Sequence, residues 1–440
     1  MGREPITVVG GGLAGSEAAW QIAQRGLQIE LYEMRPARQT PAHATDRLAE
    51  LVCSNSFRSA SLSNAVGLIK EEMRRLDSLT MRAADAARVP AGDAHAVDRA
   101  VFAAAVTQAL STHPRVRIHR AEITEIPDRG IVIVATGPLT SEALSRSIAA
   151  LTGADRLYYF DAISPIVEAD SIDLDRVFRA SRYGKGGGED YLNCPLDQTE
   201  YRRFHQALIG AELIEVHQFE ERLCFEGCLP IEVMARRGLD TLRFGPMKPV
   251  GLIDPRSGRR PHAVVQLRQD NLAADLYSMV GFQTRLRWPE QKRVLRLIPG
   301  LENAHFVRLG QMHRNTYLNA PTVLFPSYQS RKRETVLFAG VLSGVEGYVE
   351  SASSGLLAGI YASRLARGLE IQLVPATTAM GAMAHYITHT RPEHFQPSNV
   401  IFGIFPPLDP PVSDKRERRR RLAERALDEL ERWIRDGGSG

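Results

Sequence analysis

The chain has 440 residues, of which 44% are hydrophobic and 24% charged, with a formal net charge of +4 and a pI near 8.9. Such a chain can bury a large core and is expected to form two or three domains. It contains no run of about eighteen apolar residues and only four cysteines, so the sequence predicts no membrane span and no disulfide framework, and it favours a reducing cytoplasm.

The first predicted strand, residues 6–9, ends in a glycine-rich turn and is followed by a predicted helix over 16–25. Gly10, Gly12 and Gly15 have the spacing G-x-G-x-x-G of dinucleotide-binding turns. There the first glycine makes the turn, the second lets backbone approach a pyrophosphate, and the third lets the helix pack on the strand. The helix N-terminus then faces the phosphates. The turn residues predicted to hold a dinucleotide are Gly10, Gly11, Gly12, Leu13, Ala14 and Gly15.

The second predicted strand, residues 28–33, ends in an acidic residue, Glu33. It lies about twenty residues after the glycines, where a carboxylate accepts hydrogen bonds from an adenosine ribose. Because a carboxylate would repel a 2′-phosphate, this site suits FAD or NAD rather than NADP.

Residues 36–64 are predicted to form a loop that contains Cys53 among small polar residues. Arg58 and a following helix start would place positive charge near this thiol, which favours the reactive thiolate. The residues alone leave a reactive and a structural cysteine equally open.

Short strands are predicted at 116–118 and 123–126, and then a buried strand from 131 that ends in Ala-Thr-Gly at Gly137. Small residues at that strand end let the chain pass a cofactor, so Gly137 is assigned to the same site. From about Asp161 the pattern changes to mixed strands, aromatic residues and loops, which predicts an inserted domain over 161–305.

Two cysteines lie four residues apart in that segment, Cys224 and Cys228. Zinc requires further ligands at close spacing, and only His217 is near, so no metal site is predicted. Cys228 follows a glycine and precedes Leu-Pro, a constrained turn suited to displaying a nucleophile, although a buried structural thiol is the alternative.

Near the far end of the chain a strand over 336–340 leads through a glycine-bearing loop into a small-residue helix over 352–367. Glutathione-reductase-like flavoproteins close over the flavin in this way, which favours FAD as the tightly held cofactor. The residues assigned to it here are Gly340, Glu346, Gly347 and Tyr348.

The predicted fold is therefore α/β: a glutathione-reductase-like, FAD-binding Rossmann domain with an inserted α+β domain. Residues 1–160 form its first part, 161–305 the inserted substrate domain, and 306–440 its second part with a C-terminal helical tail. Basic clusters at 236–237, 256–260, 331–333 and 415–421 together favour a polyanionic partner, although any one of them is explained by a solvated surface.

These motifs together resemble the folate- and FAD-dependent tRNA (uracil-5-)-methyltransferases of bacteria. The segments that carry the resemblance are 9–17, 53–56, 225–238, 312–321 and 338–355. The resemblance implies transfer of a one-carbon unit from 5,10-methylenetetrahydrofolate to C5 of the T-loop uridine, position 54, of tRNA. Reduced FAD would supply the hydride, and NADH or NADPH would reduce the FAD.

Uracil C5 is a weak nucleophile until a thiolate adds at C6, and a base must later remove the C5 proton. By resemblance, Cys228 is the thiol that adds to C6 and Cys53 is the base, although the two roles could be exchanged, and Cys224 is a bystander. The resemblance also implies that His313 stacks on the folate pterin and that Tyr348 lies beside the flavin ring.

Three alternatives remain open at this point. A plain flavin oxidoreductase would use FAD and NAD(P)H but neither cysteine. A wobble-uridine tRNA-modifying FAD enzyme would carry a long helical C-terminal extension, which this chain lacks. A non-catalytic RNA-binding flavoprotein would leave tRNA unmethylated.

Overall fold

The structure is a computed structural model that describes residues 4–153, 157–214 and 229–440, with the backbone but not the side chains of 157–162 and 312–315. Its strands are β1 Ile6–Val9, β2 Ile29–Tyr32, β3 Ser56–Ser59, β4 Arg88–Val89, β5 Ala94–Val97, β6 Val116–His119, β7 Val132–Val134, β8 Leu157–Ala162, β9 Ile166–Glu168, β10 Phe178–Arg179, β11 Tyr191–Leu196, β12 Ala263–Gln269, β13 Leu276–Met279, β14 Phe306–Arg308, β15 Met312–Tyr317 and β16 Val336–Phe338. Its helices are α1 Leu13–Gln24, α2 Ala65–Arg75, α3 Leu79–Ala86, α4 Arg99–Ser111, α5 Glu142–Thr152, α6 Gln198–Ile209, α7 Ile231–Arg236, α8 Thr241–Phe244, α9 Trp288–Leu295, α10 Ala320–Val323, α11 Tyr348–Ala366, α12 Ala379–His389 and α13 Lys415–Arg435.

A five-stranded parallel sheet in the order β16-β7-β1-β2-β6 forms the centre of the larger core. Strands β7 and β16 are buried at every residue, as expected for short apolar strands covered on both faces by helices. The two ends of the chain therefore meet in one sheet, since β16 pairs with β7 and β7 with β1. This arrangement confirms the predicted α/β class with a Rossmann-like parallel sheet.

Helices α1 and α11 pack closely because small residues face each other. A methyl group added at Gly355 would lie 2.1 Å from the carbonyl oxygen of Ala14, and one added at Gly359 would lie 2.7 Å from that of Ala18. Any larger side chain would push the helices apart, so the start of α11 stays beside the glycine turn that begins α1.

A six-stranded sheet in the order β10-β11-β12-β13-β9-β14 has a separate hydrophobic core, covered by α6, α7 and α9. All of its neighbouring strands are antiparallel. Strands β8 and β15 form a two-stranded antiparallel ribbon, and each lies where the chain passes from one core to the other. The predicted domain limits at 160 and 305 stay a prediction.

Two expectations about the N-terminal half are corrected. Strand β3 lies inside the stretch predicted as a loop and pairs with β5. No strand forms at 123–126, because the N–H of Ile126 donates to Ser147 Oγ at 3.0 Å instead of to a neighbouring strand. The apolar pattern there reflects burial of Ile126 in the core and not a sheet ladder.

The C-terminal helix α13 packs its apolar face on the larger core through Leu422, Ala426, Leu430 and Trp433, all buried. Its opposite face carries the arginine run, whose side chains form ion pairs with glutamates of the same helix, such as Arg420 with Glu417 and Glu424. Within the described residues, no helix has the length and apolar character that crossing a membrane requires.

Candidate active site

The glycine turn has the geometry that its spacing predicts. Gly10 has φ +102°, and an added methyl group would lie 2.5 Å from the carbonyl oxygen of Ala135, which directly follows β7. A methyl group at Gly15 would lie 1.8 Å from the carbonyl oxygen of Gly10, so this glycine lets α1 sit against β1. Gly12 differs, because an added methyl group would have no atom within 4 Å and would project into open space.

Helix α1 begins at this open space without a side-chain cap on its first N–H groups. Uncapped N–H groups at a helix N-terminus, together with the helix dipole, favour a phosphate. The turn therefore has both the room and the donors that a pyrophosphate requires.

Glu33, just beyond the end of β2, is buried at the same cavity. Its Oε2 accepts the N–H of Gly11 at 2.9 Å, and its Oε1 accepts the Arg35 Nε at 2.8 Å. Burial by itself would raise the pKa of Glu33, but hydrogen bonding and the charge of Arg35 outweigh it and hold that pKa below its ordinary value. Arg35 was not predicted as a site residue from the sequence, although its position two residues after Glu33 indicated a possible ion pair.

One cavity of about 520 Å³ joins this turn to the cysteine loop and to the six-stranded sheet. The predicted site residues that line it are Gly10, Gly12, Leu13, Ala14, Glu33, Cys53, Gly137, Gly340, Glu346, Gly347 and Tyr348. Gly11 and Gly15 lie behind the lining, where Gly11 holds Glu33 and Gly15 packs on Gly10. The open Gly12, the uncapped helix and the buried Glu33 fit an FAD.

Cys53 is half-buried, and the start of α11 holds its loop. The Tyr348 hydroxyl oxygen accepts the N–H of Cys53 at 2.6 Å and that of Ser54 at 3.0 Å. Burial, and next the charge of Cys53, raise the pKa of Tyr348 well above its ordinary value, so its hydroxyl keeps its proton. A residue from one end of the chain thus positions the thiol from the other.

The positive charge around Cys53 comes from more residues than the sequence suggested. Arg58 lines the cavity, but its guanidinium is paired with the buried carboxylate of Glu350. Arg268 of β12 donates from Nη2 to Ser54 Oγ and from Nε to Asn55 Oδ1, each at 2.9 Å. Arg99 and Arg308 complete this set, and they escaped sequence reasoning because nothing in the local pattern links them to residue 53.

The remaining predicted residues are placed only in part. Cys228, and Cys224 beside it, lie outside the described residues. His313 lies on β15, where its backbone pairs with Asp161, and its side chain is among those that the structure does not describe. The further described cysteine, Cys194, is fully buried in the second core, where burial raises the pKa of its thiol well above the ordinary value. In the described ranges, no group of three or more His, Cys, Asp or Glu side chains is placed to hold a metal ion.

Comparison with known proteins gives consistent matches. The family model described as glucose inhibited division protein A matches residues 5–370. A methylenetetrahydrofolate–tRNA-(uracil-5-)-methyltransferase TrmFO of Brevibacillus brevis is 59% identical over 436 residues, 99% of each chain, and one of Geobacter sulfurreducens is 58% identical over 429 residues, 98% of each chain. The solved structure of Aquifex aeolicus GidA, form II crystal, has a TM-score of 0.72 at 17% identity, covering 99% of this chain and 74% of that one.

Proposed function

This chain belongs to the glucose inhibited division protein A family and, within it, to the methylenetetrahydrofolate–tRNA-(uracil-5-)-methyltransferases, and from that premise we propose that it is an enzyme that methylates C5 of a uridine in tRNA with 5,10-methylenetetrahydrofolate as carbon donor. The target is the T-loop uridine at position 54, and the product is 5-methyluridine. NADH or NADPH restores the reduced flavin. Because its substrate is tRNA, the protein is expected to act in the cytoplasm.

The observation that supports this proposal best is the single cavity shared by the glycine turn and the cysteine loop. FAD, when bound, supplies the hydride that completes the methyl group. The residues suited to hold it are the glycine turn, Glu33 and the start of α11 at Gly347 and Tyr348. A thiol 20 residues beyond Glu33 in the chain lines the same cavity, so acid–base chemistry can occur next to the cofactor.

The cysteines divide the remaining chemistry. One thiolate adds to C6 of the uracil, which moves an electron pair onto O4 and makes C5 nucleophilic toward the methylene carbon. A base then takes the C5 proton while the bond from the methylene carbon to the folate nitrogen breaks and tetrahydrofolate leaves, which gives an exocyclic methylene. A hydride from reduced FAD would complete the methyl group, and expulsion of the thiolate would restore the C5–C6 double bond. We assign the addition to Cys228 and the proton to Cys53, with the exchanged assignment as the alternative.

The tRNA must expose a base that its own fold buries. Extruding such a base costs a few kcal/mol, and contacts between the protein and the RNA must offset this cost. The basic clusters at 236–237 and 256–260 on the second core are suited to neutralise RNA phosphates, which would make affinity fall with salt.

The direct test incubates the FAD-loaded protein with a tRNA transcript, methylenetetrahydrofolate and NADH or NADPH, and measures nucleosides by mass spectrometry. We expect 5-methyluridine from a transcript with uridine at position 54 and none from a matched transcript with cytidine there. A flavoprotein that oxidises NADPH without forming 5-methyluridine would contradict the proposal.

A second measurement assigns the thiols. RNA with 5-fluorouridine at the target position traps the nucleophile, and peptide mapping should place the adduct on Cys228. An adduct on Cys53 would exchange the two roles, and an adduct on neither cysteine would contradict both assignments.

A further inference from the structure

Two arginines of the six-stranded sheet lie in one row across four strands. Arg268 of β12 is opposite Ser278 of β13, Ser278 is opposite Ile166 of β9, and Ile166 is opposite Arg308 of β14. Directly opposed residues of antiparallel strands project from the same face of a sheet. Arg268 and Ser278 line the cavity, and Arg308 lies two strands beyond Ser278 in this row, just past a β-bulge of β14 between Phe306 and Arg308.

A third arginine joins them from the other core. Arg99, the first residue of α4, lines the cavity and donates to the carbonyl oxygen of Leu51 at 3.2 Å, two residues before Cys53. Arg308 lies close enough to Arg99 and to Cys53 for their charges to act on it, and Arg268 has the same two neighbours. We call Arg99, Arg268 and Arg308 the arginine cluster.

The arginine cluster carries more positive charge than its carboxylates offset. Asp270 pairs with Arg99 at 3.1 Å. Among the described residues, neither Arg268 nor Arg308 forms an ion pair with a carboxylate, and Arg308 donates no hydrogen bond. Arg268 is buried and Arg308 partly buried, and this burial lowers the pKa of both guanidinium groups. Buried positive charge of this kind is costly unless an anion reaches it.

We propose that the arginine cluster binds a backbone phosphate next to the uridine whose base reacts beside Cys53. The inference rests on the proposed function, because it takes the RNA as the substrate. Guanidinium groups match the planar, bidentate geometry of phosphate oxygens. A nucleotide's phosphates lie one ribose away from its base, whereas the glutamate carboxylates of folate lie a whole aminobenzoyl group away from its one-carbon unit.

Arg308→Gln is the decisive variant, because within the described part of the chain the Arg308 side chain forms no hydrogen bond that the substitution would remove. Arg176→Gln is the control: Arg176 is an exposed arginine just before β10 of the same sheet, and it is already paired with Glu200 and Glu302. Binding of a T-loop hairpin RNA is measured by fluorescence anisotropy over a salt series, alongside KM for methylenetetrahydrofolate.

We expect Arg308→Gln to weaken hairpin binding about tenfold and to reduce the slope of log K against log salt by about 1, with the folate KM unchanged. Arg308→Lys should restore the salt slope but only part of the affinity, since it keeps the charge and loses the bidentate geometry. Two further hairpins each carry a neutral methylphosphonate in place of one of the two phosphates that flank the target uridine. The hairpin that lacks the charge of the phosphate bound by the arginine cluster should bind wild type and Arg308→Gln equally.

Three results would overturn the inference. The first is an unchanged RNA affinity in Arg308→Gln. The second is the same tenfold loss of affinity in Arg308→Gln with both methylphosphonate hairpins. The third is a raised KM for folate in Arg308→Gln with unchanged RNA affinity, which would assign the arginine cluster to the folate carboxylates. In each of these the wild type still methylates tRNA, so the proposed function stands. A wild-type protein that binds no hairpin would overturn both.

Discussion

The glycine turn and the cysteine loop line one cavity but are built in different ways. In the turn, the decisive contacts join residues close in sequence, such as Gly15 against Gly10 and the N–H of Gly11 on Glu33. In the loop, the decisive contacts join residues more than 200 positions apart. The N–H of Cys53 donates a hydrogen bond to the hydroxyl oxygen of Tyr348, and Arg268 donates one to Ser54 Oγ. The glycine turn can therefore form once its strand and helix form, whereas the surroundings of Cys53 exist only once both cores have docked.

The largest effect should come from Cys53→Ala. It removes a thiol from the cavity and is expected to lower methylation on the order of a thousandfold while FAD stays bound. Cys194→Ala is the control, since that thiol is fully buried in the second core and should cost about 1 kcal/mol of stability without changing turnover per folded enzyme. Flavin absorbance and 5-methyluridine formation are measured on both. Loss of flavin in Cys53→Ala would mean that the two regions are not separable.

Two glycine substitutions test whether the stability of the fold and the binding of the cofactor depend on different residues of the turn. Gly15→Ala should destabilise the protein by about 3 kcal/mol and release the flavin, because its methyl group would lie 1.8 Å from a carbonyl oxygen. Gly12→Ala has open space and an ordinary φ of −72°, so its stability should change by less than about 0.5 kcal/mol.

The Gly12→Ala methyl group would nevertheless occupy the space predicted for the pyrophosphate. We expect normal urea denaturation but a reduced ratio of flavin to protein after purification. If Gly12→Ala keeps a full complement of flavin, the assignment of this turn to the pyrophosphate is wrong.

Tyr348→Phe tests whether the hydrogen bonds from the backbone of the cysteine loop to Tyr348 position the thiol of Cys53. It leaves the N–H groups of Cys53 and Ser54 without their acceptor, so a loss of about 2 kcal/mol in stability and about tenfold in methylation is expected. Tyr361→Phe is matched to it: Tyr361 is buried in the same helix, and its hydroxyl accepts the N–H of Val374, away from the cavity. That variant should lose stability only. Equal methylation by the two variants would show that Tyr348 does not position the thiol.

The prediction with the smallest expected effect on methylation concerns the pH dependence of stability at β5, the strand that pairs with β3. His95 on β5 packs against Phe57 of β3, and burial, followed by the charge of Lys70, lowers the pKa of His95 from 6.5 to about 4. The unfolded chain therefore takes up a proton at a higher pH than the folded protein does. The resulting stability is fully present above about pH 6.5 and is lost as the pH falls toward 4.

We expect the free energy of unfolding to fall by up to about 3 kcal/mol over that window, measured by urea titration at each pH. His95→Gln should flatten the dependence, whereas the same change at the exposed His305 should leave it. An equally steep profile in His95→Gln would assign the acid sensitivity to other groups.

Much of the cofactor half could be predicted because its signals are short-range. The spacing of Gly10, Gly12 and Gly15 and the placement of Glu33 can be read from nearby residues of the sequence. The structure places Gly10, Gly12 and Glu33 in the wall of one cavity, with Gly15 packed behind Gly10. Cys53 was readable as a candidate through its small polar neighbours. Strand β3 was not, since the polar residues from Ser56 to Ser59 form a strand only through pairing with β5 and burial of Phe57.

By itself, the sequence determined the α/β class, the dinucleotide turn and the resemblance to a methyltransferase family, because each depends on residues whose spacing along the chain sets their geometry. Only the tertiary structure decided which groups surround Cys53. Tyr348, Arg99, Arg268 and Arg308 come from four separate elements, and their meeting depends on strand register and on the docking of two cores, which no local pattern encodes.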